Sequence, residues 1–327
     1  MQRFINYLFL VLLLSSTLLI SNVQSDDGIL AGAFLRMGLG ARALGMGSAF
    51  TAVADGPEAA YYNPGGMPFL EHRQIMTSYR FLSLDRNFCT ISYSQGIRPK
   101  VDEGSDERPF NGGFALNWIY AGVTNIDGRG LNGQHIGDFS NSENAFSLTF
   151  GLSPLEIIGV GLTARVLYNR FPDMGNDDSA ISDFSFGMDF GILVKPLSFV
   201  SIGLVVKHLN AKYDWKTDKL WEKDIDKIDR FPRTFCGGVA VNWPYQWLTF
   251  ALDIEKNNQQ DEKYFLGIEA LPIPQIAVRT GMNNGNFAAG AGYNFSIFKR
   301  NAQIQYALVT RDYDVASEHI FSWLFEF

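Results

Sequence analysis

The chain has 327 residues and a net charge of −7, with 34 acidic against 27 basic side chains. That balance excludes a partner held through nucleic-acid phosphates, which needs a basic face. Charged residues are only 19 %, aromatics are 14 % and there are 32 glycines, a composition that suits a sheet protein with tight turns.

The first 25 residues read as a signal peptide. Arg3 supplies the basic start, Leu8 to Ile20 is an apolar run broken only by Ser15, Ser16 and Thr17, and Val23-Gln24-Ser25 has cleavage-site spacing, which makes Asp26 the expected mature start. The run is short for a membrane span.

Residues 31–68 are rich in Gly and Ala and show no strand alternation. Asp55-Gly56-Pro57 reads as a turn, Glu58 to Tyr62 as a short helix, and Asn63-Pro64-Gly65-Gly66 as a breaker. Gly38-Leu39-Gly40 is not a nucleotide loop, because the third glycine is missing and no strand precedes it.

From residue 71 onward the pattern has period two. Phe184, Phe186, Met188, Phe190, Ile192 and Val194 share a face opposite Ser185, Gly187, Asp189, Gly191 and Lys195, with Leu193 the exception. Val160, Leu162, Ala164, Val166 and Tyr168 alternate with Gly161, Thr163, Arg165 and Asn169. Charges such as Arg165 and Asp189 are costly toward lipid and cheap toward a polar lumen. No stretch after residue 25 is apolar enough for a spanning helix, and the other structure that satisfies every backbone group in lipid is a closed barrel. The expected fold is therefore all-β: a transmembrane antiparallel β-barrel of about 14 strands. Strands are placed at 72–82, 86–96, 111–121, 143–152, 157–170, 182–195, 199–210, 232–242, 246–256, 262–271, 275–282, 286–297, 300–311 and 318–327.

Connection lengths sort by side. Ser153–Glu156, Pro196–Ser198, Trp243–Tyr245, Pro272–Pro274 and Phe298–Lys299 are short, as periplasmic turns are, with Ile97–Phe110 the exception; the long loops 122–142, 171–181 and 211–231 fall on the other side. A barrel this wide cannot be filled by its own strand side chains, so residues 26–70 are expected to plug the lumen and 71–327 to form the wall. In the loops, Trp215, Leu220, Trp221, Ile225 and Ile228 fall at near-helical spacing and suggest an amphipathic helix over the mouth. Phe171 and Met174 could complete an apolar groove with it. The glycine pairs Gly112-Gly113 and Gly237-Gly238 are candidates for kinks in the wall.

The chain closes with Phe321, Trp323, Phe325 and Phe327 on one face. This resembles the C-terminal aromatic signal by which the barrel-assembly machinery recognises its clients. Cys89 and Cys236 fall on opposite faces, so no bridge is expected. His72, His135, His208 and His319 have no partners at ligand spacing, and no HExxH, CxxC or GxSxG is present. Neither an enzyme nor a metal or cofactor is expected.

Gly40-Ala41-Arg42-Ala43, Gly45-Met46-Gly47, Ala49 to Asp55 and Tyr62-Asn63-Pro64 together resemble the N-terminal signature of the PorV/PorQ family, which belongs with the FadL-like fatty-acid transporters. That resemblance implies a hatch centred on Asn63, Pro64 and Gly65, with Arg42 and Asp55 in the same motif. The transporters carry Asn-Pro-Ala, and here Gly65 stands in place of the Ala. The first functional expectation is passive uptake of hydrophobic small molecules such as fatty acids, through the outer membrane. The alternative is a type IX secretion component that binds cargo proteins, and a general porin comes third.

Overall fold

A computed structural model describes residues 30–99, 110–170, 182–215, 227–311 and 317–327. The expected signal peptide lies outside the described residues. Fourteen strands close into one antiparallel ring. In chain order they are β1 (Arg73–Phe81), β2 (Arg86–Ile97), β3 (Asn111–Arg129), β4 (His135–Leu155), β5 (Ile158–Arg170), β6 (Ser182–Leu197) and β7 (Val200–Leu209). A separate two-stranded ribbon follows, β8 (Lys212–Trp215) with β9 (Lys227–Arg230). The ring resumes with β10 (Thr234–Val241), β11 (Leu248–Asn257), β12 (Lys263–Ile273), β13 (Ile276–Asn283), β14 (Asn286–Ile297), β15 (Arg300–Val309) and β16 (Glu318–Glu326). β16 lies along β1 from Gln74 opposite Glu326 to Phe81 opposite His319, and so joins the two ends of the sheet.

Side-chain alternation divides the wall into two surfaces. On β4, Phe146, Leu148 and Phe150 are each about half exposed, while Ser147 and Thr149 between them are buried. Leu162 and Val166 on β5, and Phe184, Phe186 and Phe190 on β6, continue the outward apolar band. Arg165 and Asp189 point inward and pair at 2.6 Å. An outward charge therefore meets hydrocarbon. Leu148→Arg is expected to destabilise the barrel by about 2–4 kcal/mol if it sits near the midplane, read as a lower denaturant midpoint in lipid vesicles, whereas Ser147→Thr inside should change it little.

Phe321, Trp323 and Phe327 are outward and exposed, with Phe325 half-buried on the same face. Cys89 faces out and Cys236 faces in, both free. Leu193, the exception to alternation, is fully buried and packs against Ala54, Ala59, Ala60 and Met67 of the N-terminal segment. It is apolar because its inner neighbour is protein, not water.

Three expectations are corrected. Residues 122–142 are largely a ribbon and not a loop. β3 and β4 stay paired as far as Arg129 opposite His135, because Val123, Thr124, Ile126, Ile136 and Phe139 are strand formers and Gly133, at φ +77°, supports the tight turn. The expected helix in 211–231 is replaced at both described ends by β8 and β9. Trp215 pairs with Lys227, whereas Ile228 pairs with Asp214, so Trp215 and Ile228 occupy opposite faces and cannot line one groove. Finally, β3 and β10 keep unbroken register through Gly112-Gly113 and Gly237-Gly238, so these glycines are not kinks.

Candidate functional site

Residues 30–70 form four short helical pieces, Ala33–Arg36, Ala41–Gly45, Ala59–Tyr62 and Pro64–Phe69, which lie against inward-facing wall residues. No piece is long enough to be stable alone, so the wall must hold the segment.

Lumen-facing glycines make the contact close. A Cβ at Gly161 would overlap the Pro64 carbonyl and stand 2.9 Å from the Gly65 nitrogen. One at Gly191 would overlap Asn63 and come within 2.7 Å of the Pro64 ring. Gly113 and Gly151 do the same for Met67, Gly203 and Gly238 for Thr51, and Gly267 and Gly281 for Met46. Of the glycines read above as candidate kinks, Gly113 is thus a seat where backbone meets backbone, and Gly238 makes room for the side chains of Asp253 and Thr51.

Asn63 is fully buried. Its Nδ2 donates to the carbonyls of Thr51 at 2.8 Å and Ile192 at 3.0 Å, and its Oδ1 accepts from Gly65 N at 2.9 Å. It therefore ties two parts of the segment to the wall with one amide. Pro64 opens the following helical piece, where a missing N–H costs nothing.

Polar wall groups complete the seat. Asp253 on β11 accepts from the backbone N–H groups of Phe50 at 2.8 Å and Thr51 at 2.7 Å, both through Oδ2. Asp253→Ala leaves two buried donors without an acceptor, at about 1–3 kcal/mol each. Amide exchange at Phe50 and Thr51 is expected to quicken at least tenfold by mass spectrometry; unchanged exchange would show that this contact does not hold the segment.

Arg42 spans to Asp55 within the segment and to Glu269 on β12, with Nε–Oε2 at 2.9 Å and NH2–Oε1 at 2.7 Å. Arg279 on β13 reaches the same Glu269 at 2.6 Å. Glu58 lies close by with Oε1 unpartnered, and burial pushes its carboxyl up to about 7. Among the residues expected to work together, Asn63, Pro64 and Gly65 form one contact with the wall and Arg42 and Asp55 another. Phe171, Met174, Leu220, Trp221 and Ile225 lie outside the described residues. Asp253, Glu269, Arg279 and the glycine seats escaped the sequence reading. The seats alone left a signal, as inward-phase glycines in successive strands.

The end of the barrel away from the carboxyl terminus is covered by the ribbon β8–β9. Tyr213 and Trp215, together with Phe231 just after the ribbon, are buried with Phe34 and Leu35 in one apolar cluster. On the same side, a cavity of about 400 Å³ lies between the segment and the wall. Leu35, Met37 and Phe265 give it an apolar part, but Arg36, Arg86, Lys207, Lys263 and Arg311 also line it, against Asp253, Glu255 and Glu318. Lys207 places its ammonium 4.9 Å and 5.5 Å from the ring centres of Tyr61 and Tyr62. His208 has φ +62° and sits where β6 and β7 shift register, its N–H donating to Asp189 Oδ1 at 2.8 Å.

No protein-family model matches the chain, and no curated protein matches it. Solved structures do. The toluene transporter TbuX of Ralstonia pickettii superposes with a TM-score of 0.60 at 11 % identity, over 89 % of this chain and 98 % of that one. The fold is that of a bacterial outer-membrane barrel. A deletion mutant of the monoaromatic hydrocarbon channel TodX gives 0.59 at 11 % identity, covering 88 % and 98 %. A FadL homologue of Pseudomonas aeruginosa gives 0.57 at 12 %, covering 88 % and 97 %. These neighbours are transporters or channels, and at such identity the likeness is one of fold.

Proposed function

We propose that this barrel takes up small hydrophobic and amphipathic molecules across the outer membrane, fatty acids among them, with residues 30–70 acting as a movable hatch. The observation that carries this reading is how the segment is seated: by backbone packed on glycines, by one amide at Asn63, and by ion pairs at Arg42. None of these is covalent, and each can be remade after displacement. Above the hatch the cavity of about 400 Å³ falls within the usual range for a ligand site. The fold shared with hydrocarbon transporters supports the same reading. Proteoliposomes containing the barrel should accumulate labelled laurate faster than empty liposomes; equal rates would sink the proposal.

A second reading follows from the ribbon β3–β4, which extends past the last pairings of β2 (Arg86 opposite Val123) and β5 (Arg170 opposite Ser142). An outward projection of this kind, with the PorV/PorQ-like motif, suits a component of type IX secretion that holds cargo. Copurification of secreted cargo with the intact barrel, lost when residues 125–140 are removed, would favour it over uptake.

A further inference from the structure

Inward hydroxyls on two sides of the barrel hold the N-terminal segment. Ser322 Oγ on β16 accepts from the Ala41 N–H at 2.8 Å and donates to Ser78 Oγ on β1 at 3.0 Å. Thr163 Oγ1 on β5 donates to the Ala60 carbonyl at 3.2 Å. Between these flanks the inward polar groups of β2 and β3 are used differently. Thr90 Oγ1, Ser92 Oγ, Ser94 Oγ and Asn117 Oδ1 are buried with no hydrogen-bond partner. A buried hydroxyl without a partner weakens the state that buries it and regains hydrogen bonds in the state that wets it. The flanks therefore favour the docked segment, and this row favours the displaced one.

The row is contiguous. Thr90, Ser92 and Ser94 are successive inward positions of β2, spread over about 13 Å. Ser92 stands opposite Asn117 on β3, and Ser94 opposite Gln74 on β1, whose Oε1 is also unpartnered. Its cover is apolar. Ala115, opposite Ser94, clusters with Ala54, Ala59 and Ala60, and Met76, opposite Ser92, clusters with Tyr61 and Tyr62. The row also leads somewhere at both ends. On the same face of β2, Phe88 and then Arg86 precede it, and Arg86 lines the cavity. At the other end Gln74 lies beside the turn at Asp55 and Gly56: a Cβ on Gly56 would stand 3.6 Å from Gln74 Oε1, and the Asp55 side chain is exposed.

We infer that the inward face of β2, with Asn117 beside it, is the wall along which substrate leaves the cavity for the inner mouth, opened when the turn Ala59–Tyr62 lifts from it. Thr90, Ser92 and Ser94 then pass the polar end of an amphiphile from one hydroxyl to the next, each able to donate to a carboxylate or another acceptor head. The inference rests on the uptake reading for the existence of a passage and adds its side and its lining. The opening itself can be measured without transport.

Single cysteines, Ser92→Cys, Ser94→Cys and Thr149→Cys, are placed in a chain with Cys89 and Cys236 replaced by alanine. Thr149, on β4, is as fully buried as the two serines. The purified barrels, in detergent so that both mouths are open, react with a small cationic thiosulfonate. Ser92→Cys and Ser94→Cys are expected to react about tenfold faster than Thr149→Cys, because local opening exposes β2 first. In proteoliposomes, the double variant Ser92→Ala with Ser94→Ala keeps the packing but removes the unpartnered hydroxyls. Its laurate uptake should fall about tenfold, whereas Ser322→Ala, which loses a contact to the segment, should not lower it. The inference is overturned if Thr149→Cys reacts as fast as the β2 positions, or if the double variant takes up laurate at the native rate. A native barrel that takes up no laurate while the β2 cysteines still react faster would count against the uptake proposal alone.

Discussion

Gly161→Leu is expected to unseat the hatch and raise the conductance of the purified barrel in planar bilayers by at least about fivefold. Gly161 faces the lumen, and even a single added carbon would overlap the Pro64 carbonyl. The obstacle is backbone on both sides, so no side chain can swing away. Overpacking of this kind costs about 1–3 kcal/mol. Charged to the docked state alone, that multiplies the undocked population by roughly 5- to 150-fold, at tenfold per 1.4 kcal/mol. Leu162→Met on the adjacent outward position is the control and should leave conductance unchanged. A Gly161→Leu barrel that folds, shown by its heat-dependent gel mobility, yet conducts as the native protein does would mean that the glycine seat is not what holds the hatch.

The second large effect is expected at Arg42. Glu269 is nearly fully buried and shared between Arg42 and Arg279, and Asp55 is held by Arg42 from the other side. Removing one member of a buried ion cluster costs about 3–5 kcal/mol. Arg42 keeps a side-chain exposure of 20 %, so the lower end applies. Arg42→Ala should therefore increase open events by about a hundredfold. Because both partners lie in one network, the effects of Arg42→Ala and Glu269→Gln should fall short of additive by about 0.5–3 kcal/mol in a double-mutant cycle. Strict additivity would show that the two side chains do not act together.

Much of the wall was legible because lipid enforces a simple rule. A residue such as Phe190 must be apolar and its neighbour Asp189 must not face outward, so the period-two pattern survives along the wall strands, with exceptions such as Leu193. The expected and observed strands agree closely, as at 286–297 against Asn286–Ile297. Failures came where that rule stops acting. Past the last pairings of β2 and β5, Ile126 and Phe139 need no lipid to stay paired, and the β3–β4 ribbon continued past its expected end. In 211–231, charges at alternate positions satisfy a ribbon face as readily as a helix face, and Tyr213 and Trp215 found their apolar partners in Phe34 and Leu35, almost 180 residues away. The resemblance pointed to Asn63, Pro64 and Gly65, which pack on the wall, but not to the wall carboxylates Asp253 and Glu269 that hold the same segment. In sequence each is only one more inward carboxylate in a strand. What it holds is decided by the path of a segment with little regular structure of its own.

The central claim is that substrate passes only when the hatch leaves its seat. Ser48 on the hatch and Asn283 at the end of β13 are hydrogen-bonded at 3.0 Å. In a variant carrying Ser48→Cys and Asn283→Cys, with Cys89 and Cys236 replaced by alanine, the two thiols can be joined by a disulfide or a short bis-thiol linker. Uptake of labelled amphiphile into proteoliposomes should fall to the rate of empty vesicles when they are joined and return on reduction. Full uptake through a completely cross-linked barrel would contradict the account.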